Sequence, residues 1–263
     1  MAVLRSKRNV AKTEFENTFT KLYHFSAENT SKLAKRRQKW LAYKIDELMN
    51  ESYNLIMEIN ESSYCKTLDK ELAENDIKRI LRNLYDLQDH LLVLWNVEQY
   101  KTKKMAAWCD HLQKEFDLLL RMINLKFNYQ FKILDYNAIE EMKFLKNMSE
   151  LHRFVHGKVI HAPKRYDNTS GQVLISLVDS AFLNVTKTNY YFPTTKKGFE
   201  KRRKYLTRAI SALYKLQRQT LFYCNLMQYS ENVMREWFNY ITTEIKLLQA
   251  LKKSDSQRYK NSK

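Results

Sequence analysis

The sequence predicts an all-α fold built as two tandem up-down four-helix bundles. Three observations predict it. Glycine occurs 3 times and proline 2 times in 263 residues, too few for the tight turns that a sheet protein needs. Apolar residues recur at three- and four-residue steps over long stretches, the spacing of one helix face. The chain also contains an internal repeat, so the pattern is written twice.

The repeat is read by laying residues 79–122 over 208–251 at a constant shift of 129, without gaps. Identities fall at 14 of 44 positions. They include Leu84/Leu213, Tyr85/Tyr214, Leu87/Leu216, Gln88/Gln217, Tyr100/Tyr229, Trp108/Trp237 and Glu115/Glu244. Two unrelated amphipathic helices would share leucines, but not a tyrosine, a glutamine, a tryptophan and a glutamate in one register. Upstream the match thins, with Lys35-Arg36 on Lys164-Arg165, Tyr53 on Phe182 and Asn60 on Asn189.

The elements follow in order. The first bundle occupies 1–123, with helices near 13–33, 36–60, 73–97 and 101–123. Phe15, Phe19 and Leu22 mark the first, and Trp40, Leu41, Ile45 and Leu48 the second. Residues 124–136 read as a connector. The second bundle, 137–263, has helices near 137–161, 169–190, 197–226 and 230–252. Pro163 ends its first helix, because the residue before proline is pushed out of the helical region. Tyr190-Tyr191-Phe192-Pro193 ends its second. Ser230 before Glu231 is a helix start, a capping oxygen followed by an acid in the first turn. Arg5 to Lys12 and Lys252 to Lys260 read as basic tails.

Hydrophobic residues make up 44% of the chain, enough for a packed core. The net charge is +17. Such a charge repels itself unless a polyanion neutralises it, so RNA, DNA or an anionic surface is the expected partner. Residues 1–130 carry 22 Lys+Arg against 18 Asp+Glu, whereas 131–263 carry 24 against 11. The second bundle therefore holds the field. Cys65, Cys109 and Cys224 are far apart in sequence and read as buried reduced thiols, not as a metal or disulfide framework. No apolar run reaches the roughly 18 residues of a membrane helix. A cytoplasmic protein without a membrane segment is the expectation.

The densest basic segment is Lys196 to Arg208, with seven cations against Glu200 alone. The candidate nucleic-acid-binding residues there are Lys196, Lys197, Lys201, Arg202, Arg203, Lys204 and Arg208. Helical steps put Lys197, Lys201, Lys204 and Arg208 on one stripe, which suits a phosphate backbone. Lys35, Arg36, Arg37 and Lys39 form a second cluster, answered in the other copy by Lys164 and Arg165. Tyr190, Tyr191 and Phe192 lie beside the stripe and are candidates for stacking on bases.

Catalytic patterns are missing from the sequence. The glycines are isolated, so no phosphate loop exists, and no nucleophile elbow is present. His152 and His156 share a helical face, but no third metal ligand is evident from spacing, so they read as packed histidines. Arg and His do not meet at the spacing of helical-bundle toxin nucleases. A non-enzyme with no cofactor and no metal is expected.

Each half resembles the accessory variability determinant family and its four-helix bundle relatives. The resemblance is carried by the opening Met1 to Arg8, by Pro163-Lys164-Arg165, Asn189 and Arg203, by Leu213-Tyr214 with Leu216, and by Tyr229, Trp237 and Lys253-Ser254-Asp255. It implies a non-catalytic accessory protein that binds the reverse transcriptase of a diversity-generating retroelement together with its template RNA or an RNA/DNA hybrid. Members of that family form a basic pentameric ring of single bundles. Two bundles in one chain do not close such a ring simply, which leaves the form of any homo-oligomer open. A helical protein-interaction scaffold and a ribosomal-RNA-associated bundle are the alternatives.

Overall fold

The computed structural model describes residues 2–33, 36–64, 70–98, 102–125, 129–131, 141–163, 166 and 170–262. Its described residues are all-helical, without strands. Eight helices appear in them: α1 (Ala2–Thr30), α2 (Arg36–Tyr64), α3 (Lys70–Glu98), α4 (Thr102–Met122), α5 (Lys143–Ile160), α6 (Gln172–Thr188), α7 (Lys196–Leu226) and α8 (Glu231–Asn261). The chain divides into two compact units, Met1–Ile133 and Leu134–Lys263.

In the first unit α1 packs on α2 and α4, and α3 packs on the same two helices. In the second, α5 and α7 each pack on α6 and α8. Both are closed four-helix squares, as a long apolar stripe on every helix requires. The stripes are plain. Phe15, Phe19 and Leu22 are buried on α1, Leu41, Ile45, Met49 and Ile56 on α2, and Ile77, Ile80, Leu84, Leu87 and Leu91 on α3. Trp108, Leu112, Phe116 and Leu119 complete that core from α4. In the second unit the corresponding rows are Leu145, Met148 and Val155, then Leu174, Val178 and Phe182, then Leu206, Ala209, Leu213 and Leu216, then Trp237, Ile241 and Leu248.

The sequence repeat maps onto these cores. Trp108 and Trp237 are each fully buried, as are Glu115 and Glu244. The copies differ where their surroundings differ. The Trp108 indole donates to Ser26 Oγ at 2.9 Å. The position matching Ser26 is Val155, and the Trp237 indole nitrogen has no partner.

Three expectations need correction. The arm Arg5 to Lys12 lies within helix α1, which starts at Ala2 rather than near residue 13. The stretch Lys252 to Lys260 is not a tail but the last turns of α8. Part of the expected connector belongs to the first unit. Phe131 is buried, and Gln113 holds this segment by donating to the Tyr129 carbonyl at 3.1 Å and accepting from the Phe131 amide at 2.9 Å. Tyr129 and Phe131 pack on Tyr85 and Phe116. The stretch 137–140, expected to open the second bundle, lies outside the described residues.

Candidate nucleic-acid interface

Helix α7 opens with a built cap. Thr195 is extended, and its hydroxyl accepts from the Gly198 amide at 3.1 Å. This local bond lets the helix begin on Lys196 and Lys197, although cations at a helix N-terminus oppose the dipole. The chain must pass close by here, because a Cβ on Gly198 would lie 2.1 Å from the Phe192 carbonyl oxygen.

From that start, Lys196, Lys197, Arg203, Lys204 and Arg208 are exposed, and Lys201 is half-buried. The stripe runs further than the dense segment suggested. Lys215, seven residues (two turns) after Arg208, and Arg218, three further on, are exposed, and the same helical period was the signal that could have found them. Lys197 to Arg218 spans about 31 Å at 1.5 Å per residue. None of Lys197, Lys204, Arg208, Lys215 and Arg218 makes an ion pair with a described acid. Lys252 of α8 borders the stripe, donating to Thr207 Oγ1 at 3.0 Å.

Arg202 does not belong to this face, and its assignment to nucleic acid is corrected. It is 7% exposed. Its Nε donates to Asp255 Oδ2 of α8, and its Nη1 donates to the Thr188 carbonyl at 2.7 Å and the Tyr191 carbonyl at 3.3 Å. The guanidinium thus closes the C-terminal end of α6 and ties it to α7 and α8, where a cation also meets the negative end of the helix dipole. Sequence reasoning missed Asp255 because it lies in a polar run that looked solvated.

The stacking candidates separate in the same way. The Tyr191 ring stacks on Tyr205 at 5.8 Å, and the Lys201 ammonium sits 4.9 Å from the Tyr191 centroid. Tyr190 is half-buried. Phe192 is 78% exposed, and of the three its ring is the one presented to solvent.

The other cluster is described only at its edge. Lys39 is exposed. Arg36 and Arg37 fall in helix α2, but their side chains, and Lys35, Lys164 and Arg165 altogether, lie outside the described residues.

Cys109 and Cys224 are buried, and burial pushes their thiols up to about 12 and about 11, while Cys65 lies outside the described residues. His152 and His156 are buried, and the structure supplies the third group that spacing could not. Both Nε2 atoms meet Oδ1 of Asp179 on α6, at 2.8 and 2.7 Å. Burial pushes His152 down to about 4. Burial alone would raise the Asp179 carboxyl, but the neighbouring His156 and the hydrogen bonds from both imidazoles outweigh it and hold it low.

No family model, no curated protein and no solved structure matches the chain. Among the described residues no helix is long and apolar enough to cross a membrane.

Proposed function

We propose that this chain is a non-catalytic RNA-binding accessory protein of a reverse transcriptase, belonging to a diversity-generating retroelement or a related mobile element and working in the cytoplasm. The observation that carries the nucleic-acid half is the exposed cationic stripe of α7 without acidic partners among the described residues. The repeat sharpens its meaning. At the shift of 129, Lys197, Lys201, Lys204, Lys215 and Arg218 correspond to Leu68, Leu72, Asn75, Asp86 and Asp89. The sixth member, Arg208, has a cationic counterpart, Arg79, but the first copy is built without the other five, so those five are not there to make the fold. Fixed cations along a helix neutralise phosphates and release counterions, which provides affinity independent of base sequence. Phe192 beside the stripe offers a face for a splayed base.

The protein half rests on the resemblance of the sequence to the accessory variability determinant family. An apolar surface on the same helix supports it: Leu221, Phe222 and Leu226 are 52%, 59% and 37% exposed. Contiguous exposed apolar side chains mark contact surfaces.

The test is a triple charge reversal, Lys197→Glu, Lys204→Glu and Arg208→Glu, at positions on the solvent face of the helix. RNA affinity should fall at least tenfold. The slope of log affinity against log salt should shrink by about 2, since each phosphate neutralised on a single strand contributes roughly 0.7. Helicity and thermal midpoint should stay as they were. Unaltered RNA binding rejects the stripe as the interface. Co-purification of the wild type with a polymerase through the Leu221–Phe222–Leu226 surface, abolished in Phe222→Glu, tests the partner.

A further inference from the structure

The second unit contains a group of side chains that nothing above uses. His152 and His156 stand one turn apart on the same face of α5, where residues at i and i+4 are neighbours. Asp179 reaches them from α6. The two Nε2 atoms meet one carboxylate oxygen at 2.8 and 2.7 Å, and all three atoms lie within 4.8 Å of one another. The residues are 0%, 4% and 7% exposed. The His152 ring is fixed by stacking on Phe182, 4.4 Å away and 15° from parallel. We propose that His152, His156 and Asp179 form a binding site for one Zn²⁺ ion that clamps α5 to α6.

The donor chemistry selects the ion. Two imidazole nitrogens and one carboxylate oxygen suit zinc, while magnesium and calcium prefer oxygen alone. Two histidines spaced by four on a helix converge on one metal, as in helical zinc motifs. Zinc bonds of about 2.0–2.1 Å at tetrahedral angles hold donor atoms about 3.3 Å apart. To admit the ion the carboxylate oxygen would part from each nitrogen by about half an ångström, and the two nitrogens, within 4.8 Å of each other, would settle at the same donor spacing.

The first unit argues that this cluster is not a packing requirement. At the shift of 129, His152, His156 and Asp179 correspond to Tyr23, Ala27 and Asn50. There the helices are joined by a neutral bond, the Tyr23 hydroxyl donating to Asn50 Oδ1 at 2.8 Å. A tyrosine and an asparagine suffice to link the same pair of helices. The second copy instead carries a ligand-type residue at all three positions.

The same comparison supplies the test. The full chain, stripped of metal with a chelator, is titrated with Co²⁺ as a spectroscopic substitute for zinc. One ion per chain should bind, with the visible d–d absorption of tetrahedral nitrogen and oxygen ligation and without a thiolate charge-transfer band. Zn²⁺ should displace it stoichiometrically. Zn²⁺ at about a hundredfold excess over its dissociation constant should raise the melting midpoint of the second unit by about 8 °C. The triple variant His152→Tyr, His156→Ala, Asp179→Asn transplants the set of the first unit and should bind no ion. Failure of the wild type to take up Co²⁺ overturns the proposal even if the variant does not fold. So does a variant that binds with unchanged stoichiometry and spectrum.

Discussion

Glu115 and Glu244 occupy matching places in the two cores, and each carries an orphaned carboxyl oxygen. Burial raises Glu115 well above the ordinary carboxylate range. Burial also raises Glu244 to about 8, a hydrogen bond from Asn147 at 2.9 Å partly opposing it. In the unfolded chain such groups titrate near 4.3. Between that value and their folded value the native state binds more protons than the unfolded state. Stability therefore falls as pH rises through this window, by about 1.4 kcal/mol per pH unit per group. Below the unfolded value both states are protonated and there is no penalty. The variant Glu115→Gln/Glu244→Gln should show a flatter decline in urea midpoint between pH 5 and pH 8 than the wild type, and a parallel decline would show that both glutamates ionise freely. Arg202 and Asp255 make the opposite case, a buried pair in which each ion depends on the other. Asp255→Ala leaves a desolvated guanidinium and should cost about 3–5 kcal/mol in urea unfolding. Arg202→Met with Asp255→Leu should recover most of that loss. The correspondence of Glu115 with Glu244 was legible in the repeat, but the lack of a partner for both carboxyl oxygens of Glu115 and for one of Glu244 was not. Nor were the partners of Arg202 and of the histidines. Asp255 is 53 residues from Arg202 and Asp179 is 23 from His156, so only the pairing of helices brings them together.

The helices themselves were readable because each buries a stripe at helical spacing, and the seams between them were located to within a few residues. The ends were harder. Helix α8 continues to Asn261 through a stretch rich in lysine and serine, with little apolar residue to announce it. It is held by contacts with the start of α7 that no local pattern reveals. Tyr259 stacks on Phe199 at 4.4 Å and 6°, Asp255 meets Arg202, and Ser262 Oγ donates to the Thr194 carbonyl at 3.0 Å. The same junction depends on Gly198. Its missing side chain lets the Phe192 carbonyl sit against the first turn of α7, and that obstacle is backbone, which cannot swing aside. Gly198→Ala should destabilise the second unit by about 1–3 kcal/mol, the usual cost of overpacking. Because the stripe begins at Lys197, next to this corner, the variant should also weaken RNA binding more than Lys196→Ala does. An unchanged melting midpoint in Gly198→Ala would show that this corner carries no packing constraint.

At the scale of the whole molecule, the chain builds a four-helix scaffold twice and distributes its charge unequally between the two. Each unit closes its own square of helices around its own core, and each has a size at which single domains fold alone. The first unit is nearly balanced in charge, while the second carries most of the excess. A long-range field of this kind concentrates polyanions near one bundle without asking anything of the other. This division was legible in composition, because charge is counted without knowing the fold. The face that carries it was legible only in part, since Arg202 turned inward and Lys215 and Arg218 joined. Residues 1–133 and 134–263, produced separately, should each unfold in a single cooperative helical transition. The second should keep the salt dependence of RNA binding of the full chain to within about one unit of slope, and the first should lose it. A second unit that folds but binds RNA no better than the first would move the interface away from α7 and place the function of its charge elsewhere.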